Sequence, residues 1–64
     1  MDDQTRRDID NCISDLRRLA ARLEDAASEV SKSISGMETE KYTNALYDCA
    51  AKYRYAIRNL ERLR

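Results

Sequence analysis

The sequence predicts an all-α protein, an antiparallel hairpin of two helices. Three observations carry this. Two apolar series recur at alternating spacings of four and three residues, the chain has no proline, and its single glycine, Gly36, falls between the series. Neither segment alternates apolar and polar residues with period two, so a strand reading fails.

The first series is Ile9, Ile13, Leu16, Ala20, Leu23, Ala27, Val30, Ile34 and Met37. It reads as a heptad seam, with Ile13, Ala20, Ala27 and Ile34 at a and Ile9, Leu16, Leu23 and Val30 at d. Cys12, Leu19 and Ala26 at g widen the apolar face. Thr5 with Asp8 has the spacing of a capping box. The first helix is placed near residues 5–34.

Gly36 suits the left-handed residue that stops a helix. Beyond it, Thr39 or Ser35 can cap a second helix, and Ser35 with Glu38 has S-x-x-E spacing. The second series is Tyr42, Leu46, Cys49, Tyr53, Ala56, Leu60 and Leu63, flanked by Ala45, Ala50 and Ile57. This helix is placed near residues 39–63. Two unbroken heptad registers predict packing at the shallow angle of a left-handed bundle.

A chain of 64 residues is one thin domain, residues 1–64. A core this small seldom supplies more than about 3–5 kcal/mol, so a staple is expected. There is no histidine, and the two cysteines match no metal motif. Folding back at residue 36 sets Cys12 beside Leu60 and Cys49 beside Leu23. The sulfurs are then roughly 16 Å apart along the hairpin, too far for a disulfide. Self-association or a partner is the staple left. Tyr47, Ala51 and Tyr55 form a further stripe on the second helix, so its apolar surface exceeds what one neighbour covers. Pairing two hairpins into a four-helix bundle would cover it. Tyr47 and Tyr55 read equally as partner-facing or as amphipathic surface side chains.

Charge excludes some roles. The chain carries 12 basic and 12 acidic residues, a net charge of zero. Acids gather at the start of the first helix and bases at the end of the second, as helix dipoles favour. No apolar run is long enough to span a membrane, and the acidic N-terminus lacks a Sec-type signal. The expected location is the cytoplasm, with export possible only by a non-Sec route. Chemistry finds little support. Cys49 lies on the seam without a histidine to activate it, and reads as a small buried hydrophobe. No glycine-rich phosphate loop exists, so no cofactor, metal or catalytic residue is assigned and an enzyme is not expected.

Arg54, Arg58 and Arg62, with Lys52, form a basic stripe interleaved with tyrosines that could track phosphates. In architecture the chain resembles the small plasmid RNA-binding hairpins that dimerise into four-helix bundles, without a shared motif. Zero net charge stands against this second reading.

Around the turn the chain reads Ile34-Ser35-Gly36-Met37-Glu38-Thr39-Glu40-Lys41-Tyr42. This resembles the signature of the small W-x-G helical hairpins exported by type VII secretion. Gly36 matches their turn glycine, and Thr39-Glu40-Lys41-Tyr42 matches the opening of their second helix. Ala56-Ile57-Arg58-Asn59-Leu60 resembles their small-apolar repeat. Ile34 replaces the tryptophan, and no tyrosine is followed four residues on by an acid, which is that family's export signal. The resemblance implies helix-to-helix pairing and the place of an accessory partner beside a larger secreted protein. The expected function is thus an interaction module, partnered by itself or by a related helical hairpin. Its expected contacts are Ile13, Leu16, Leu19, Leu23, Leu46, Tyr47, Tyr53, Tyr55, Ile57 and Leu60.

Overall fold

A computed structural model of the chain describes residues 1–33 and 37–63, which form two α-helices. Helix α1 runs Asp3–Ser33 and α2 runs Met37–Leu63. Both begin two residues earlier than the apolar pattern alone places them. Gly36, the expected turn residue, lies outside the described residues, as do Ile34 and Ser35.

The start of α1 is set by Asp2. Its Oδ1 accepts the Thr5 backbone N–H at 2.7 Å, and its carbonyl accepts the Arg6 N–H at 3.1 Å. Asp2 is therefore the N-cap, satisfying donors that the first turn leaves open. Hydrogen bonds from Thr5, its backbone amide foremost, hold the Asp2 carboxyl below its ordinary range. Thr5 is not the cap, and Asp8 instead accepts a hydrogen bond from Gln4 Nε2 at 3.0 Å. Thr39 is likewise no cap. It is the third residue of α2 and is buried.

The helices lie side by side in an envelope of 51 × 15 × 10 Å, one helix layer thick. Two ion pairs establish direction and register. Arg17 Nη2 donates to Glu61 at 2.7 Å, and Arg54 Nε and Nη2 donate to the two oxygens of Glu24 at 2.8 and 2.6 Å. One heptad forward on α1 corresponds to one heptad backward on α2, so the helices are antiparallel.

The core is the a line of each helix. Ile13, Ala20 and Ala27 of α1 and Ala50 and Ile57 of α2 are buried, and Thr43 extends the α2 line. The d residues Leu16, Leu23, Leu46, Tyr53 and Leu60 are only half-buried. In an antiparallel coil, a residues of one helix meet d residues of the other. The small Ala20 and Ala27 of α1 therefore meet d residues of α2, and the small Ala50 of α2 meets a d residue of α1. At these alanines small opposes large, which lets the helices approach closely.

This corrects the α2 seam. The inward line is Thr39, Thr43, Leu46, Ala50, Tyr53, Ile57 and Leu60, not the series beginning at Tyr42. Tyr42 and Leu63 are 60% and 58% exposed, while Ala50 and Ile57, expected as flanks, are the core itself. The d positions belong to both lines. The apolar count favours the outer line because the inner one begins with two threonines. Both cysteines are free thiols.

One cost is visible in this core. The Thr43 hydroxyl is buried with no hydrogen-bond partner among the described residues, and an orphaned polar group of this kind costs about 1–3 kcal/mol. Thr43→Val keeps the shape and removes the hydroxyl. It is expected to stabilise the fold by about 1 kcal/mol, raising the midpoint of thermal unfolding followed by circular dichroism. An unchanged or lower midpoint would contradict this account of Thr43.

Candidate interaction face

The two long sides of the hairpin differ in chemistry. Heptad positions e of both helices flank the core on one side, and positions g flank it on the other. The e side carries Arg17 and Glu24 of α1 with Arg54 and Glu61 of α2, the residues of the two cross-helix ion pairs. These groups span the groove between the helices and cover the a line. The hydrogen bond from Arg54 holds the Glu24 carboxyl below its ordinary value and holds the guanidinium proton more tightly.

Between positions 12 and 26 of α1 and along α2, the g side is apolar. It carries Cys12, Leu19 and Ala26 from α1 and Tyr42, Cys49, Ala56 and Leu63 from α2. Cys12 and Ala26 are exposed and Leu19 is 44% exposed. Cys49 and Ala56 are half-buried. The half-buried d residues Leu16, Leu23, Leu46, Tyr53 and Leu60 lie between the two g lines. Positions d and g thus form a continuous apolar strip on each helix, and the strips share one face of the hairpin. Leu19 also borders a shallow surface depression of about 320 Å³ with Asp15, Arg18 and Arg22. Across the rim, Arg18 pairs with Asp15 at 2.9 Å.

The structure sorts the residues that the sequence suggests as contacts. It brings Leu16, Leu19, Leu23, Leu46, Tyr53 and Leu60 together on the open face. Ile13 and Ile57 lie inside the hairpin's own core, where a second molecule does not reach them. Tyr47 sits at an e position, on the ion-paired side. Tyr55 is 62% exposed on the outer surface, with the Arg58 guanidinium 5.9 Å from its ring centroid. Periodicity counts apolar residues without showing which side of the helix meets its neighbour, so it joined three separate surfaces into one list. The g residues Cys12, Ala26, Cys49 and Ala56 were absent from that list because they are small. Their signal was the regular step between d and g.

The basic stripe is not a uniform row of available cations. Arg54 is engaged with Glu24 through two hydrogen bonds, and Arg58 lies over Tyr55. Lys52 and Arg62 are exposed. Among the described residues no group of three or more histidines, cysteines or carboxylates could hold a metal ion. No helix among them is long and apolar enough to cross a membrane. No family model matches the chain, and neither a curated protein nor a solved structure matches it.

The ion-paired side has a pH signature. Glu24 titrates below its ordinary value of 4.5 in the folded chain, and Asp2 below 3.8. Both groups bind protons more weakly folded than unfolded, so their contribution is present above the ordinary values and is lost as pH falls through the lowered ones. Thermal melts across acid pH are expected to show a shallower loss of stability for Glu24→Gln combined with Asp2→Asn than for the natural chain. Parallel slopes would show that neither carboxylate carries the acid sensitivity.

Proposed function

We propose that this chain is a protein–protein interaction module that docks the d/g face of its helical hairpin onto another pair of helices. The carrying observation is the asymmetry of the hairpin. Charged side chains close one side of the groove, while leucines, tyrosines and small residues remain open on the other. An exposed apolar strip running the length of a small domain is characteristic of a contact surface. A helical partner completes it, because d and g recur at the spacing of a second heptad seam.

The resemblance of residues 34–42 to the W-x-G hairpins supplies a setting for this reading. A small accessory protein that covers a helical segment of a type VII secretion substrate would use such a face. Engagement of Arg54 and Arg58 within the chain, together with zero net charge, favours a protein partner over nucleic acid.

Site-specific photo-crosslinking in the native host tests the face. A photoreactive residue at position 19 or 26 is expected to give a discrete adduct with a helical protein or with a second copy. The same residue at position 55 is expected to give none. Equal adducts from both sides of the hairpin would remove the basis for assigning the d/g face.

A further inference from the structure

We infer that the occupant of the d/g face is a second copy of this chain, stacked face to face as a two-fold symmetric four-helix bundle. The inference rests on the interaction reading above and names its partner.

The size of the face is adequate. It lies on a hairpin 51 Å long and 15 Å wide, comparable in area with the ~800 Å² per partner that a stable complex buries. Charge permits the pairing, since a chain with zero net charge has no overall repulsion against its own copy. The ion pairs Arg17–Glu61 and Arg54–Glu24 lie on the opposite side, so stacking leaves both solvated and intact.

The pattern of sizes is self-complementary. A two-fold contact requires one surface to supply both knobs and holes. Each helix here does so within a single strip. On α2, Leu46, Tyr53 and Leu60 at d alternate with the small Cys49 and Ala56 at g, with the large Tyr42 and Leu63 at the two ends of the strip. On α1, Leu16 and Leu23 at d alternate with the small Cys12 and Ala26, with Leu19 as the large exception. Both two-fold arrangements that bring the faces together make every stacked pair of helices antiparallel. In an antiparallel pair the two seam positions meet each other, d of one helix against g of the other. Large residues then meet small ones along the middle of each strip, as they do at the core alanines inside the hairpin.

The test is sedimentation equilibrium of the purified full chain, with helicity followed by circular dichroism. The natural chain is expected to sediment at twice its 7.4 kDa mass. Leu19→Asp and, separately, Ala26→Asp place a charge on exposed g positions and are expected to weaken association at least about a hundred-fold. Tyr55→Asp, on the outer surface, is expected to leave the dimer intact. A dimer broken by Tyr55→Asp but not by either g-position change would place the contact elsewhere and overturn the inference. So would a folded chain that stays at 7.4 kDa throughout the micromolar range. In that case an apolar fluorescent dye separates the two claims. Dye bound by the monomer and released by Leu19→Asp leaves the interaction face standing with a different partner. A folded monomer that binds no dye removes both.

Discussion

Everything in this molecule follows from a limit on how much of itself a helix can hide against one neighbour. A helix has a circumference, and a single antiparallel partner covers only the stripe that faces it. Here that stripe is the a line, where Ile13, Ala20, Ala27, Ala50 and Ile57 are buried. The d residues on its shoulder are half-covered, and the g residues beyond them remain largely in contact with solvent. The hairpin is therefore both a folded unit and an incomplete one.

The composition of the core suits a thin contact. Among the described residues, three of the five buried apolar members are alanines, which let the backbones approach closely and give little area to bury. Large side chains are displaced to d and g, where one neighbour cannot enclose them. Fully burying a leucine is worth about 1.5–3 kcal/mol relative to leaving it exposed. Half-covered Leu16, Leu23, Leu46 and Leu60 therefore hold much of the stabilisation that the hairpin alone does not realise. The bidentate Arg54–Glu24 pair and the Arg17–Glu61 pair sit where they do not interfere with that reserve. They bridge the helices on one side, while charge on the other is confined to the rim beyond the g line.

Much of this was legible in the residues. The α1 seam was read correctly, with Ile13, Ala20 and Ala27 at its centre and the g stripe already apparent. The caps were less legible, since Asp2 and Thr5 are both good capping residues and only the hydrogen bond from the Thr5 amide selects Asp2. The candidate site was legible in part. Leu16, Leu19, Leu23, Leu46, Tyr53 and Leu60 were identified, but Ile13, Ile57, Tyr47 and Tyr55 were grouped with them although they occupy other surfaces. Hydrophobicity identifies a side chain that avoids water, and does not say whether its own chain or another already covers it.

The sequence by itself determined that there are two helices and roughly where they lie. Heptad spacing, a single glycine and the absence of proline permit little else. Only the tertiary structure decided which of two overlapping seams on α2 turns inward, because both contain Leu46, Tyr53 and Leu60. The more apolar line through Tyr42, Cys49, Ala56 and Leu63 stays at the edge. The line through Thr43, Ala50 and Ile57 packs, because its small members fit opposite the large residues of α1 and its register brings Glu24 to Arg54 and Arg17 to Glu61. That choice depends on matching shapes and charges across two helices, and such a match is not a property of either helix alone.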